Sequence, residues 1–413
     1  MNTPLNNNRL AIYSMMLTFF LDFIGLFMVY PIFAPLFLDS NSPMLDAHTS
    51  HFRRTLIVGT LTMIYGVGQF FGGPLLGELS DQFGRKRILI LGLSILVIAN
   101  LLGAFALAAN ILWLLFVGRF LTGVASGNGS VIFAAVSNMS VNDTERGINL
   151  GYLAGAASLG CVLAPMVGSH LSSPAFISWF SWYTPFLFMA IIFLLNLLLI
   201  AMVYKDTGTY QRRPLSLTTG FHNIVECFKM PQVNIMLLIY FLFVLSTEST
   251  FTGLPIFAVE KFQVSSTWLG YLFGFGSLVA AFSSIYLNKQ LSKKFNSYII
   301  VLLASGILCL GYALYLVTPS ANWLYLAYGL VGLTCATIWS QQNAIIANMV
   351  DAKVQGKVLG VTQSLLSLAL IIGPASIGFI ASVHYNFIPI LCLIAGLLSW
   401  IIFIKFYLQF VRK

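Results

Sequence analysis

Gly77-Glu78-Leu79-Ser80-Asp81-Gln82-Phe83-Gly84-Arg85-Lys86-Arg87-Ile88-Leu89 is a short charged stretch set between two long apolar runs. In such a setting it reads as a tight loop joining two membrane-spanning helices. Gly77 and Gly84 supply the close backbone approach and positive φ that a sharp hairpin needs. Arg85, Lys86 and Arg87 follow at once, and basic residues that dense in a short loop mark the cytoplasmic side. Topology anchoring alone accounts for the basic triplet. It does not account for the spacing of the glycines, Asp81 and the bases.

The rest of the chain agrees with a lipid environment. Of 413 residues, 58% are hydrophobic and 8% charged, whereas a soluble chain carries roughly a quarter charged residues. A helix needs about 20 apolar residues to cross the hydrocarbon core, so the length holds twelve and leaves no room for a separate soluble domain. The expected fold is an all-α integral membrane protein. Its helices are expected at 10–38, 54–77, 87–109, 112–139, 147–170 and 183–204. The second set is expected at 234–258, 266–288, 297–317, 322–349, 357–382 and 386–409.

The net charge of +9 is distributed by topology and gives no reason to invoke nucleic acid. With loops assigned alternately from a cytoplasmic N-terminus, only Arg53, Arg54 and Lys261 fall outside, and Arg119 lies within a span. All other basic residues lie inside, which places both termini in the cytoplasm of a chain in the inner membrane. The first apolar run is too long for a cleavable signal peptide. The five cysteines have no paired spacing, and the four in apolar spans read as buried small residues. No metal-ligand cluster, phosphate loop or nucleophile–His–acid set is evident, so neither a cofactor nor an enzyme activity is expected.

The two halves repeat. Pro31-Ile-Phe-Ala recurs as Pro255-Ile-Phe-Ala, an offset of 224 residues. Gly123, Gly147, Gly151 and Pro165 recur 209 residues on, at Gly332, Gly356, Gly360 and Pro374. Duplicated halves of this kind are the expected build of a rocker-type transporter. The domains expected are an N-terminal six-helix bundle over 1–204, a cytoplasmic linker over 205–233 and a C-terminal six-helix bundle over 234–413. Within the linker, Phe221, Ile224, Val225 and Phe228 follow helical spacing after Thr218 and Thr219, as a short amphipathic helix on the membrane surface would.

Gly-x-Leu-x-Asp-x-x-Gly-Arg-Lys-x-x-Leu between helices 2 and 3 resembles the signature loop of the major facilitator superfamily, matched here at every key position. Arg119, followed by Gly123, resembles a second superfamily motif assigned to proton transfer. Gly160-Cys-Val-Leu-Ala164-Pro165-Met-Val-Gly168-Ser169 resembles the antiporter motif of drug:H+ antiporters, with alanine and Ser169 in place of two glycines. Its repeat partner is Gly373-Pro374. Leu21-Asp22-Phe-Ile-Gly25 followed by Pro31 is similar to tetracycline-efflux proteins, although no acid stands in helix 3 or helix 9, where those exporters carry one. The resemblance implies gating roles for Gly77, Asp81, Gly84, Arg85 and Lys86. It also implies that Asp81 accepts hydrogen bonds from the start of helix 11 near Gly356. For Gly160, Ala164, Pro165, Gly168, Gly373 and Pro374 it implies close helix packing.

Only Asp22, Arg119 and Glu248 carry charge well inside the expected spans. Each costs roughly 2.5–3.5 kcal/mol at a helix centre, a cost accepted for a static ion pair or for proton coupling. A carboxylate couples when its proton affinity differs between two conformations. Asp22 is expected to be the principal protonation site and Glu248 a secondary one. Under the 224-residue offset Asp22 aligns with Ser246 rather than Glu248, so the two acids belong on different faces. Ser246, Thr247, Ser249 and Thr250 around Glu248 suggest a hydrated segment.

Candidate substrate contacts are Thr337, Trp339, Gln341, Gln342 and Asn343 in helix 10, with Tyr65 and Gln69 in helix 2 and Asn128 in helix 4. Buried amides need water, a ligand or each other, and helix–helix hydrogen bonding explains them as well. The combined expectation is a monomeric, proton-coupled secondary transporter that works by alternating access on a small molecule. Efflux of an amphipathic compound leads, and proton-coupled import of a metabolite or siderophore-like solute is the alternative. A transporter-shaped sensor that moves nothing is a third reading.

Overall fold

The computed structural model describes residues 4–140, 142–206 and 225–411. Twelve helices among them are long and apolar enough to cross a membrane. They are α1 (Leu10–Leu38), α2 (His51–Phe83), α3 (Arg85–Ala108), α4 (Leu112–Met139), α5 (Glu145–Leu171) and α6 (Thr184–Val203). The remaining six are α7 (Val233–Phe262), α8 (Ser266–Ser292), α9 (Ser297–Leu316), α10 (Trp323–Asn348), α11 (Val354–Val383) and α12 (Phe387–Val411). Helices close every backbone hydrogen bond within one segment, which is what a chain immersed in hydrocarbon requires.

The charged stretch differs from the expected loop. α2 continues through Gly77 to Phe83, and α3 begins at Arg85. Ser80 Oγ donates back to the Gly77 carbonyl at 2.7 Å, and the Gly84 N–H reaches the Ser80 carbonyl at 3.1 Å. The whole reversal rests on Gly84, whose φ of 100° lies where a side chain is disfavoured. Gly77 is helical and needs no positive φ.

Several spans are interrupted. α1 breaks at Met28–Val29, just before Pro31, which has no N–H to continue the ladder. α4 breaks at Ser126–Gly127, and α8 contains a π-helical turn at Ser283–Leu287. A π turn of this kind adds one residue to the helical ladder. Of the expected linker helix, Val225–Phe228 is helical, while Thr218, Thr219, Phe221 and Ile224 lie outside the described residues. Cys227 in that turn is fully buried, and burial pushes its thiol up from the ordinary range. The neighbouring Glu226 pairs with Lys357 at the start of α11.

The chain forms two compact units, residues 1–32 with 64–217, and residues 33–63 with 218–413. In the first, α1 packs on α5 and α6, and α3 packs on α4 and α6. In the second, α7 packs on α11 and α12, and α9 packs on α10 and α12. Each pairing in one unit thus recurs six helices later in the other, the structural counterpart of the sequence repeat.

Residues 33–63 are held into the second unit by specific contacts. Arg54, 5% exposed, donates to the carbonyls of Phe37, Asp39, Ser40, Asp46 and Thr49 and so ties the turn between α1 and α2 together. From sequence it read only as an outer charge. His51 lies 2.7 Å from Glu260 of α7. Gly59 meets α11 closely: a Cβ there would stand 2.5 Å from the Pro374 carbonyl oxygen.

Candidate functional site

In the first unit, Ser14, Thr18 and Asp22 follow one another at helical spacing on α1. Ser14 and Thr18 turn their hydroxyls to backbone carbonyls of their own helix. Thr18 also accepts from Asn196 Nδ2 of α6 at 2.9 Å, and Gly25 faces Phe193 of the same helix. Asp22 sits between those two contacts, one turn from each. Both its carboxylate oxygens are buried and neither has a hydrogen-bond partner among the described residues. A static Asp22–Arg119 ion pair is therefore excluded from this conformation.

Arg119, 2% exposed in α4, places its guanidinium 4.9 Å from the centre of the Tyr65 ring in α2. A cation over an aromatic face gains electrostatically, and more so away from water. Tyr30 is a further electrostatic neighbour. The approach of α2 to α4 is made possible by glycine. A Cβ on Gly123 would fall 2.1 Å from the Tyr65 carbonyl oxygen, and one on Gly72 would fall 2.2 Å from that of Val124. Gln69 has a buried, unpartnered Oε1. Asn128 is fully buried with neither amide atom partnered, and its side chain fills the space beside Gly92.

In the second unit, Glu248 lies in the α7 run Ser246–Thr250, all of it buried. Three hydroxyls of the run close on their own helix, Ser246 to Phe243, Thr247 to Val244 and Thr250 to Ser246, while Ser249 Oγ is buried with no hydrogen-bond partner among the described residues. Hydroxyls in apolar surroundings find the nearest free carbonyl lone pairs three or four residues back. Ser246 also accepts from Tyr312 of α9.

The polar residues of α10 divide. Thr337 pairs with Ser283 in the π turn of α8, and Gln341 donates to Asn288 and Ser292 of the same helix. These bonds join α10 to α8. Trp339 Nε1 donates to the Tyr240 hydroxyl of α7 at 2.9 Å. Asn343 donates to the Trp339 carbonyl and accepts from Thr362 of α11. Gln342 is fully buried with both amide atoms unpartnered. An amide so placed costs a few kcal/mol unless something satisfies it.

At the α2–α3 turn, Arg85 donates to the Ala134 carbonyl of α4 and lies 4.0 Å from the largely exposed Asp81. Lys86 donates through Nζ to the Ala201 carbonyl, and its backbone N–H donates to Asp206 at 3.1 Å. Asp206 thus stands at the N-terminus of α3, where a negative charge is favoured. Burial together with Asp206 pushes the nearby Tyr204 hydroxyl up to about 12, against a partial offset from Arg85. Asp206 was not singled out from sequence, because nothing local in it marks a cap 120 residues away. A Cβ on Gly356 would meet no atom within 4 Å.

The antiporter-like segment is a packing seam. A Cβ on Gly168 would fall 2.1 Å from the Met28 carbonyl oxygen, and one on Gly160 would fall 2.6 Å from that of Phe20. Ala164 between them is fully buried, and Pro165 lies within α5. The repeat partner behaves alike: a Cβ on Gly373 of α11 would stand 3.1 Å from Ser249 Oγ, and Pro374 follows it. No group of three or more metal-ligating side chains occurs among the described residues.

A family model described as Major Facilitator Superfamily matches residues 15–374 and again 290–411. The class C tetracycline resistance protein of Escherichia coli is 27% identical over 384 residues, covering 89% of this chain and 88% of that one. Multidrug resistance protein 2 of Bacillus subtilis (strain 168) is 26% identical over 345 residues, covering 80% and 82%. Among solved structures, that of the nucleoside transporter NupG aligns with a TM-score of 0.76 at 13% identity, covering 96% of this chain and 100% of the other.

Proposed function

Because the chain belongs to the major facilitator superfamily, we propose that it is a proton-coupled antiporter of the inner membrane that exports a small amphipathic compound by alternating access. The proposal draws its direction from relatives named for tetracycline and multidrug resistance. Proteins of this family and fold are transporters, not enzymes.

The observation that carries the reading is Asp22. A carboxylate buried in a membrane-spanning helix with no donor to either oxygen among the described residues is costly to hold as a fixed structural charge. It is well suited to exchange a proton when a path to it opens. Glu248, in the other unit, is the secondary site, and Arg119, held over the Tyr65 ring, is a further coupling residue. Asp81 and Arg85 act as gating residues at the α2–α3 turn. For substrate, Gln342, Asn128 and Gln69 are the strongest candidates, since each keeps a buried amide atom with no partner among the described residues. Both termini lie in the cytoplasm, as the distribution of bases requires.

Everted membrane vesicles test direction. A thermal-shift screen against antibiotics, siderophores and metabolites supplies the ligand. That ligand is expected to accumulate inside everted vesicles when their lumen is acid, and to leave when the gradient is collapsed. Accumulation in right-side-out vesicles instead makes the protein an importer.

A further inference from the structure

We infer that the groove between α9 and α12 is a binding site for an anionic phospholipid, one acyl chain lying in the groove and the phosphate held by lysines at its end. The groove has a volume of about 590 Å³ and is lined by Leu303, Gly306, Ile307, Trp400, Tyr407 and Leu408, among others. Gly306 opens it, because a residue without a side chain faces the Trp400 ring there. The one polar group of the indole is already used, since Trp400 Nε1 donates to the Leu302 carbonyl at 2.9 Å. What remains is an apolar trough within two membrane-spanning helices. Leu303 and Leu408 on its walls are 57% and 51% exposed. A methylene chain fits that chemistry, by van der Waals packing along an apolar trough.

The charge at one end selects the headgroup. α9 and α12 run antiparallel, with Tyr298 at the start of α9 stacked on Phe403 near the end of α12. Lys293 and Lys294 lie in the turn between α8 and α9, and Lys405 is in the last turn before the π-helical end of α12. None of the three is in an ion pair with a carboxylate among the described residues. The local sequence offers little else, because residues 261–413 contain one acid, Asp351. Orientation rules explain why bases are on this side of the membrane, but they do not place an acyl-sized trough beside them. A second copy seated on the same face would bring the two sets of lysines together, and like charges oppose it. A phospholipid phosphate neutralises them. Basic residues near the surface attract anionic lipid individually, by about fivefold each.

The test uses the purified full-length chain in a non-ionic detergent, with dioleoylphosphatidylglycerol, dioleoylphosphatidylcholine or glycerol 1-phosphate added. Bound lipid is read by native mass spectrometry and stability by thermal unfolding. Phosphatidylglycerol is expected to bind more tightly and to raise the melting temperature more than phosphatidylcholine, with no effect of glycerol 1-phosphate. The triple variant Lys293→Gln, Lys294→Gln, Lys405→Gln is expected to lose that preference, by roughly fivefold per lysine, while still binding phosphatidylcholine. Ile307→Trp, which fills the trough, is expected to weaken both lipids alike. Equal binding of the two lipids by the unaltered chain overturns the inference without recourse to any variant. So does a preference that survives in the triple variant, or a glycerol 1-phosphate effect equal to that of the lipid.

Discussion

Asp22→Asn is expected to abolish pH-gradient-driven accumulation of substrate in proteoliposomes while leaving downhill substrate exchange in place. The amide matches the carboxylate in size, so the packing between Thr18 and Gly25 on α1 is retained and only the titrating proton is removed. Downhill entry of one charge supplies about 2.3 kcal/mol per 100 mV, and a tenfold ratio costs about 1.4 kcal/mol. Loss of one coupled proton under a pH gradient of the same worth, about 2.3 kcal/mol, therefore lowers the steady-state accumulation ratio by about fiftyfold. Asp22→Glu restores the titrating group and is expected to recover part of the driven transport. If Asp22→Asn still concentrates substrate against a gradient, Asp22 is not the principal coupling site. The same measurement on Glu248→Gln is expected to give a smaller loss.

Gly168→Ala is expected to cost stability even though alanine is the better helix former by about 0.8–1 kcal/mol. Its Cβ would enter the Met28 carbonyl oxygen at 2.1 Å, a backbone atom that cannot rotate away. Inserting atoms into a full seam costs roughly 1–3 kcal/mol, and more where backbone must move. Gly151→Ala, with nothing within 4 Å of the added atom, is expected to be neutral or stabilising on the same helix. The order of melting temperatures should be Gly151→Ala highest, then Gly373→Ala, Gly160→Ala and Gly168→Ala. That order follows the contact distances from open space through 3.1 and 2.6 to 2.1 Å. Equal melting temperatures for Gly151→Ala and Gly168→Ala would mean that α1 and α5 are not closely packed in the membrane.

Hydropathy and the repeat were enough to place all twelve spans, because apolar run length responds to the bilayer alone and not to any neighbour. Gly84 was legible as a turn for a similarly local reason, since a positive φ favours glycine. Its neighbour Gly77 was misread as a turn residue: Glu-Leu-Ser-Asp-Gln-Phe has no breaker, so α2 simply continues to Phe83. The partners of polar side chains were not legible. Thr337 and Gln341 look like ligand contacts in sequence, yet a π turn in α8 brings Ser283 and Asn288 to them. Nothing in the α10 sequence records that turn. Arg54 read as a stray outer charge because its five acceptors are backbone carbonyls, which are identical in every sequence. Asp22 was legible as costly but not as unpartnered. That required the packed helices, in which Asn196 of α6 donates to Thr18, a turn away.

The proposed exchange of substrate for protons is tested most directly by following lumenal pH in proteoliposomes loaded with a trapped pH dye. Under an acid lumen and no electrical potential, addition of the compound identified by the thermal-shift screen is expected to raise lumenal pH in step with its uptake. Liposomes carrying the Asp22→Asn chain should take the compound up to equilibrium with no pH change. Uptake by the unaltered protein that leaves lumenal pH flat, or that acidifies it further, would contradict proton antiport.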